Sequence, residues 1–543
     1  MRTLQPLSLV VLLLFGPAYA NDSDRATAAV GAAIYLNGQL GSGQPLSAAR
    51  ADAPPLTGEQ AACVNCHRRS GLGMTEARNI IPPVAGEFLF HTRQPRGSDS
   101  DLPYVPGERL DREPYTNASL ARAIRDGVDS EGHELSYLMP RFALNDSDMA
   151  ALIAHLRSLE RTQVPGVSST ELHFATIITP DADPVKRKAV LAVLQQFFLD
   201  FDAAPRGASA QTMTTSGNTA YAKKMFKVNR RWTLQVWEPT GPPATWQAQL
   251  DRKFAADPVF AVISGLGGSD WDPVARFCEA HAVPCLFPNV ARPPANAERS
   301  FYSLYFSRGV MLEADLMAAQ LSSGSAKRVL QVYRAGDVGE VAARSLAQQL
   351  AARGVSVAER VIPHDAPAKA VKNYLHGQVD ARILWLDRAD LAALADAPVP
   401  SSPLYLSGIM GGLEQVPLGP DWRNQAHLAY PVDLPERRRV RLDYALGWFR
   451  IRRIPTDALP EQVDTYLACG LLSETLKHMV DAFIPEYLLE SLEDTVEHRI
   501  LTGYYPRLAL GPNQRFASKG GFVVHFDPTT PSRVVADGPW SAP

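Results

Sequence analysis

The chain has 543 residues, more than one hydrophobic core usually supports, so two or three folding units are expected. Charged residues make up 20% of it, and the formal net charge is -3 at pH 7 with both signs interspersed. This balance excludes the strongly basic composition that is typical of nucleic-acid-binding proteins.

Residues 1–20 have the composition of a secretory signal peptide. Arg2 provides a positive charge, LSLVVLLLF is an apolar core, and AYA at 18–20 is a small-residue cleavage site. The apolar run is shorter than the roughly 20 residues that span a bilayer, and no later segment is apolar enough to do so. We therefore expect a cleaved signal peptide over 1–20, a periplasmic location, and no transmembrane segment in the mature chain.

The stretch CVNCH at 63–67 places two cysteines three residues apart, with a histidine directly after the second. A structural zinc site usually needs two such pairs, and the chain has no second C-x-x-C. A thioredoxin-type dithiol should follow a strand, whereas PPLTGEQAAC is typical of a loop that enters a short helix. The remaining interpretation is covalent attachment of one haem c. Cys63 and Cys66 then form the thioether bonds, and His67 is an axial ligand of the iron.

The second axial ligand is expected within residues 134–159, ELSYLMPRFALNDSDMAALIAHLRSL. Met139 precedes a proline in a loop and is the predicted ligand, and an amphipathic helix capped by Asp146 or Ser147 follows it. The other candidates are less suitable. Met149 lies in the apolar stripe of that helix, and Met74 lies too close to His67. His91 or His133 would give two histidine ligands and lower the reduction potential.

Residues from about 25 to 160 resemble a class I monohaem cytochrome c domain. The likeness lies in the entry helix GAAIYLNGQLGSGQPL, the attachment motif CVNCH, the methionine loop LMPRF and the closing helix DMAALIAHLRSL. The family implies an all-α domain, placed here at 21–160, that carries one electron at a six-coordinate haem iron. Because both axial positions are then filled, we expect an electron-transfer protein and not an enzyme.

After a polar linker predicted at 161–170, apolar runs of strand length alternate with helical patterns. This alternation predicts buried parallel strands in doubly wound α/β sheets, and the region 171–543 is long enough for two of them. The predicted strands are LHFATIIT, WTLQVWEP, VFAVISG, VPCLFPN, RVLQVYR, VSVAERVI, ARILWLD and SPLYLSG.

The region 171–543 resembles type I periplasmic binding proteins, in particular the branched-chain amino-acid group of ABC-transporter substrate-binding proteins. The likeness lies in the segment FAVISGLGGSDWDPVARFCEAHAVPCLFP, the crossing strand YSLYFSRG and a closing hairpin at 503–526. The resemblance implies two lobes with a small-molecule cleft between them, where strand ends and helix N-termini present backbone amides. No dinucleotide site is expected, because Asp270 stands where that fingerprint needs its third glycine. The candidates for the cleft are Ser264, Gly265, Ser407 and Gly408.

The remaining cysteines and one arginine-rich segment allow further predictions. Cys278 and Cys285 lie where a helix ends and a strand begins, and an exported chain can keep a disulfide between them. Cys469 is interpreted as a core residue of a buried helix. The segment ERRRVRLDYALGWFRIRR at 436–453 is interpreted as a solvated helix face, with docking to an acidic partner as the alternative.

Together these features predict a multidomain protein, a periplasmic c-type cytochrome fused to a two-lobed binding module. The module captures a small-molecule ligand or docks the cytochrome on a redox partner, for which a periplasmic dehydrogenase is one candidate. The alternative is a transport receptor or ligand sensor in which the haem is an accessory group.

Overall fold

The computed structural model describes residues 22–50, 53–91, 105–109, 111–160, 163–203, 230–479, 482–530 and 533–543. The predicted signal peptide at 1–20 lies outside these residues. The chain divides into two compact units, Met1–Thr162 and Gln163–Pro543. Within the described ranges, no helix is both long enough and apolar enough to cross a membrane.

The first unit is mainly helical. Its described helices are α1 Asp22–Asn37, α2 Val64–His67, α3 Gly86–Leu89, α4 Asn117–Asp126 and α5 Asp146–Ser158. The cap of α5 is Asn145, whose side chain accepts a hydrogen bond from the backbone nitrogen of Asp148 at 2.8 Å. The predicted cap at Asp146 or Ser147 was therefore wrong by one or two positions, because Asn145 has the extended backbone that a cap requires.

Helices α1 and α5 pack closely against each other. A Cβ atom at Gly31 would lie 2.0 Å from the carbonyl oxygen of Ala151, so this crossing requires glycine. One turn further along, the rings of Tyr35 and His155 are 5.1 Å apart. This contact joins the two ends of the first unit around an apolar core that includes Ile34 and Leu152.

Two small sheets add to the helices of the first unit. Three strands pair in the order β2-β1-β5, and β3 and β4 form an antiparallel hairpin. The expectation of an all-α domain did not include these sheets, since their short, partly polar strands carry no clear alternation. The strands are β1 Ser47–Arg50, β2 Ala53–Thr57, β3 Met74–Glu76, β4 Asn79–Ile81 and β5 Arg141–Phe142.

The second unit begins with a sheet of five parallel strands in the order β10-β9-β8-β6-β7. We refer to this sheet and its helices as lobe 1. Each of these strands except β10 overlaps a predicted strand, and β10 lies in the predicted crossing strand. The strands are β6 Glu171–Ile177, β7 Arg231–Trp237, β8 Ala261–Ile263, β9 Cys285–Leu286 and β10 Ser303–Leu304.

A second sheet of seven strands, in the order β12-β11-β13-β14-β15-β16-β17, forms lobe 2. The first five strands in this order are parallel, and β16 and β17 are antiparallel to their neighbours. All five residues of β13 are buried, as expected for a parallel strand covered on both faces. The strands are β11 Arg328–Arg334, β12 Ser356–Ile362, β13 Ala381–Trp385, β14 Leu404–Ser407, β15 Ala426–Tyr430, β16 Phe522–Phe526 and β17 Val534–Ala536.

The helices of the second unit cover both sheets. They are α6 Pro184–Ala203, α7 Trp246–Ala256, α8 Asp272–His281, α9 Val310–Ser323, α10 Val338–Ala351, α11 Arg388–Ala392, α12 Gly408–Gly411, α13 Pro420–Arg423, α14 Pro435–Arg452, α15 Leu459–Met479 and α16 Pro485–His498. Helix α15 packs against α6 and α16, so the chain returns to lobe 1 after β15.

The chain passes between the lobes after β10, after β15 and before β16. The first and third of these segments are hydrogen-bonded to each other: the backbone nitrogen of Tyr305 donates to the carbonyl of Arg515 at 2.8 Å, and that of Ala517 donates to the carbonyl of Tyr305 at 3.0 Å. The rings of Tyr305 and Phe516 lie 5.5 Å apart beside these bonds. Two of the three crossing segments are therefore joined.

Residues 163–170, in the predicted linker, belong to the second unit. A Cβ at Gly166 would lie 2.1 Å from the backbone nitrogen of Phe260, and the Gly166 carbonyl accepts from the nitrogen of His173 at 2.8 Å. Val164 and Val167 pack against the main core of this unit. These contacts position the start of β6.

Candidate haem-attachment site and ligand cleft

Helix α2 brings the cysteines and the histidine of the CVNCH motif into one turn. The backbone nitrogen of His67 donates to the carbonyl of Cys63 at 2.9 Å, and that of Cys66 donates to the same carbonyl at 3.2 Å. Residues three apart in a helical turn lie on the same side, so the two thiols share one face. Cys66 is exposed and Cys63 is half-buried.

His67, the last residue of this turn, has a fixed side chain. Its side chain is buried, and Nδ1 lies 3.0 Å from the carbonyl oxygen of Pro82. A carbonyl can only accept, so Nδ1 carries the proton and Nε2 is the nitrogen that could bind a metal. Burial lowers the pKa of His67, which favours the neutral imidazole that metal binding requires.

Among the described residues, the two thiols are not joined by further metal ligands. Without a bound group, burial raises the pKa of Cys63 to about 12, and desolvation of the partly covered sulfur raises the pKa of Cys66. A structural zinc site needs four ligands. Within the described ranges, one group of three side chains could hold a metal ion, and it contains neither cysteine: Asp129, Glu131 and His133. The motif therefore fits covalent haem attachment better than zinc.

Met139 lies in a constrained loop of the first unit. It is half-buried and packs, like Cys63, against the apolar core of this unit. Its backbone nitrogen donates to the carbonyl of Ser136 at 3.0 Å, and the guanidinium of Arg141 donates to its carbonyl oxygen. These two hydrogen bonds fix the backbone on both sides of Met139, whose side chain could reach a bound haem.

The competing iron ligands differ in their surroundings. Met149 is 3% exposed and lies in the core, which confirms its interpretation as a core residue. His91 lies 3.1 Å from the carboxylate of Glu160, on the surface. His133 is exposed beside the carboxylates of Asp129 and Glu131. Both histidines lie on the surface, whereas Met139 packs against the same apolar core as Cys63, so Met139 is the better candidate.

Exposed apolar side chains of the first unit lie beside both ligand-bearing segments. Ile80 is 57% exposed and precedes Pro82 by two residues, while Tyr137 and Leu138 are 74% and 50% exposed and directly precede Met139. Large exposed apolar side chains can mark a binding surface. These side chains would be available to contact a flat apolar group such as haem.

In the second unit, the structure joins Cys278 and Cys285 by a disulfide, with their Cα atoms 6.2 Å apart. The bond links the end of α8 to β9, as the spacing predicted. Both residues are buried in the apolar core of lobe 1. Cys469 is free and fully buried in α15.

Ser264 and Gly265 follow β8 in lobe 1. Ser264 is fully buried, and its hydroxyl donates to the hydroxyl of Thr465 at 2.8 Å and accepts from the amide of Asn289 at 3.0 Å. A Cβ at Gly265 would lie 2.5 Å from the ring of Trp271. These two residues therefore fasten the strand end to α15 and to the next loop, and the hydroxyl is not presented to a ligand.

Ser407, the last residue of β14, and Gly408, which follows it, occupy the corresponding place in lobe 2. Ser407 is 1% exposed, and its hydroxyl donates to the carboxyl group of Glu313. The other carboxyl oxygen of Glu313 accepts from the backbone nitrogen of Ile409 at 2.8 Å. Burial raises the pKa of Glu313 to about 8, so this group is mostly protonated at pH 7. Sequence reasoning missed Glu313, although an acid inside the apolar run VMLEADLM was a usable signal.

A second buried acid lies next to the lobe 1 strand ends. Asp464 of α15 adjoins Thr465, and one of its carboxyl oxygens accepts from the hydroxyl of Tyr505 at 2.9 Å. Its other oxygen is buried without a hydrogen-bond partner among the described residues. Burial raises the pKa of Asp464 to about 7. Asp464 was also missed, because its helix reads as an ordinary apolar segment.

Comparison with known proteins assigns both units. Residues 59–160 match the family model "Cytochrome c", so the first unit contains a cytochrome c domain. No curated protein matches the chain. Among solved structures, an ABC-transporter substrate-binding protein from Aeropyrum pernix is 13% identical, with a TM-score of 0.50, over 69% of this chain and 97% of that one.

Two further solved structures are similar at lower scores. A substrate-binding periplasmic protein from Ralstonia solanacearum is 15% identical over 67% of this chain and 100% of that one, and its TM-score is 0.48. A leucine-binding protein from Thermotoga maritima is 12% identical over 68% of this chain and 98% of that one, also with a TM-score of 0.48. The likeness to the Aeropyrum pernix substrate-binding protein shows that the second unit shares the fold of that protein, and the first unit adds a cytochrome c domain.

Proposed function

We propose that the protein is a periplasmic electron-transfer protein that carries one covalent haem c and uses its second unit to bind a small molecule or to dock a redox partner. The observation that carries this proposal is the buried His67, whose Nδ1 is held by the Pro82 carbonyl in the turn that also bears Cys63 and Cys66. The proposed role is non-enzymatic.

Each residue of the site has a separate task in this proposal. Cys63 and Cys66 anchor the haem through thioether bonds, so that a small domain retains it. His67 provides Nε2 as one axial ligand, and its hydrogen bond to Pro82 fixes the ring. Met139 provides the second axial ligand from a loop held by Arg141. When bound, haem c supplies one-electron oxidation and reduction at its iron, and a methionine ligand raises its potential.

The proposed location follows from the same chemistry. Haem is attached to C-x-x-C-H motifs outside the cytoplasm, and a disulfide between Cys278 and Cys285 persists only in an oxidising compartment. Fractionation of cells that express the full chain tests the location. The proposal requires the haem-containing form in the periplasmic fraction; a haem-free protein in the cytoplasm would oppose it.

Redox titration of the purified holoprotein tests electron transfer. A reversible one-electron couple and reduction by a periplasmic dehydrogenase are expected. A five-coordinate iron that binds carbon monoxide readily and is not reduced by any such partner would argue against the proposal.

A receptor or sensor role is the second candidate, and the fold of the second unit supports it. The hydroxyls of Ser264 and Ser407 are engaged within their own lobes, so a ligand would have to use other groups at the strand ends. A thermal-shift screen with amino acids and organic acids separates ligand binding by the second unit from partner docking. A ligand that raises the unfolding temperature of the second unit supports ligand binding, which a receptor requires, and a panel without any such ligand supports partner docking.

A further inference from the structure

Helix α14 has one apolar side without a partner among the described residues. Val440, Tyr444 and Ile451 are 69%, 60% and 75% exposed, and Gly447 lies between the last two. No described atom lies within 4 Å of where a Cβ of Gly447 would be. The opposite side of the helix is buried and includes Leu442, Ala445 and Phe449.

The four residues of the exposed side follow the spacing of a helix–helix seam. Successive steps of four, three and four residues place Val440, Tyr444, Gly447 and Ile451 in line along the helix. We call these four residues the α14 stripe. A side chain in a heptad seam packs between residues of the facing helix, so large and small residues must alternate across the contact.

Two charges lie along one edge of the α14 stripe. Asp443 and Arg450 are exposed and are two helical turns apart, so they lie on the same edge. Other arginines of the helix are engaged: Arg441 pairs with Asp433 at 2.6 Å, and Arg452 pairs with Asp200 at 2.8 Å. No ion pair of Asp443 or Arg450 is found in the described part of the chain.

We propose that the α14 stripe is the contact through which two copies of this chain associate, with the two α14 helices antiparallel. The register that sets Tyr444 against Gly447 of the second copy also sets Val440 against Ile451 of the second copy. The tyrosine ring then fills the space that glycine leaves open. By symmetry each contact occurs twice, and the surface is complementary to itself in size.

The same register is complementary in charge. In an antiparallel pair, equivalent flanking positions on the same edge of the two helices face each other; Asp443 directly precedes Tyr444 and Arg450 directly precedes Ile451, so Asp443 faces Arg450 of the second copy. Both ion pairs form at once. A parallel pair would instead set Tyr444 against Tyr444 and Gly447 against Gly447, and it would leave both charges without a match.

The charges beside the α14 stripe favour a second copy of the chain over a membrane or an acidic partner. Asp443 and Arg450 give this edge mixed sign, and the nearby Glu436 already pairs with Arg533 at 2.9 Å. An anionic membrane or an acidic partner would attract the exposed Arg437 and Arg439 but would leave the Asp443 carboxylate without a counter-charge. A second copy instead offers an arginine to each aspartate.

Helix α6 carries a further exposed apolar side chain near α14. Leu199 is 63% exposed, and its neighbour Asp200 accepts from Trp448 at 3.0 Å and from Arg452 at 2.8 Å. These bonds place Leu199 beside the C-terminal half of α14. Stable dimers bury about 1,200–2,000 Å² in total, which two short helices alone do not reach, so we expect association in the micromolar range.

Sedimentation equilibrium of the full-length holoprotein, from about 1 to 100 μM, tests the charge match. Asp443→Arg and Arg450→Asp should each weaken dimerisation about tenfold, since each replaces two attractive contacts by two repulsive ones. The double variant should restore it. Asp421→Arg, at an exposed position of α13, is the matched control and should have no effect. A monomer at all concentrations, or failure of the double variant to restore the dimer, overturns the proposal.

Disulfide trapping tests the antiparallel register. A mixture of the Val440→Cys and Ile451→Cys variants should form a cross-linked dimer on mild oxidation, while neither variant should do so alone. Cross-linking of Val440→Cys with itself would mean a parallel pair and overturn the register. Binding of the monomer to phosphatidylglycerol vesicles that is lost in Ile451→Ser would assign the stripe to a membrane and overturn the proposal.

Discussion

The Nδ1 atom of His67 lies 3.0 Å from the carbonyl oxygen of Pro82, fifteen residues further along the chain. This bond fixes the tautomer of a buried imidazole and directs Nε2 away from Pro82. The same bond ties the histidine to the segment that carries the exposed Ile80.

Haem content should depend on the two motif cysteines. We expect one covalent haem per chain, measured as the pyridine haemochrome against protein concentration. Replacing both Cys63 and Cys66 by alanine should abolish covalent attachment, because no thiol remains to form a thioether. The Cys278→Ala and Cys285→Ala double variant is the control and should keep one haem. Two haems per chain, or haem retained covalently without the motif cysteines, would contradict the assignment.

Met139→Ala should remove the sulfur-to-iron band at the red end of the ferric visible spectrum. Loss of the thioether ligand should also lower the potential by on the order of 0.1 V, since methionine favours ferrous iron. Met74→Leu is the matched control, because Met74 is also half-buried in the first unit, on β3. If the band survives in Met139→Ala and disappears in Met74→Leu, the ligand is Met74.

The first unit should lose stability in mild acid through His155. Burial lowers the pKa of this histidine from 6.5 to about 4, and its Nε2 has no hydrogen-bond partner among the described residues. The unfolded chain therefore binds a proton that the folded chain excludes, and stability falls as the pH drops from about 6.5 to about 4. Denaturant unfolding of the first unit, followed by haem absorbance, measures the effect. His155→Phe should flatten this pH dependence, and the exposed His133→Ala should not.

Glu313 should produce the opposite trend in the second unit. Its pKa is raised from 4.5 to about 8, so the folded protein keeps a proton that the unfolded chain releases, and stability falls as the pH rises from about 4.5 to 8. Glu313→Gln should retain the bond from the Ile409 nitrogen and remove the pH dependence. Glu313→Ala should cost about 2–4 kcal/mol at pH 7, because it leaves a cavity and unpaired polar groups. Equal pH profiles for the wild type and Glu313→Gln would show that this carboxyl group does not titrate as argued.

The disulfide between Cys278 and Cys285 should be detectable by peptide mass mapping without reductant. Its removal by the double alanine substitution should cost about 2–3 kcal/mol, since it closes a short loop. Cys469→Ala is a useful comparison, because that thiol is free and buried. Free thiols at 278 and 285 in periplasmic protein would exclude the bond.

Much of the architecture was predictable because it follows from local patterns. The alternation of strand and helix located both sheets, and the three-residue cysteine spacing lies inside the segment 59–160 that matches the cytochrome c model. Strand β15, Ala426–Tyr430, was not predicted, because its sequence AHLAY is short and carries a polar residue. It also failed for the hairpin predicted at 503–526: the strands that pair are β16 and β17, so only the last residues of that segment are strand.

The polar groups at the strand ends were the least predictable. Ser264 and Ser407 follow buried strands, as ligand-binding serines do, but their hydroxyls bond to Thr465 and Glu313. These partners are 201 and 94 residues away along the chain, so no local pattern could indicate them. Asp464 was missed for the same reason, because its partner Tyr505 comes from the last crossing segment.

The order in which the chain visits the two lobes has a consequence for gene rearrangement and for synthesis. Lobe 1 contains β6–β10 and then α15, while lobe 2 contains β11–β15 and then β16 and β17, so each lobe is assembled from two separate stretches of sequence. A single cut can detach the cytochrome domain whole, but no single cut yields either lobe intact. Recombination at a single point can therefore exchange the first unit. The second unit can be exchanged only as a whole. During synthesis, the sheet of lobe 2 is completed only when β16 pairs with β15, after almost a hundred intervening residues have been made.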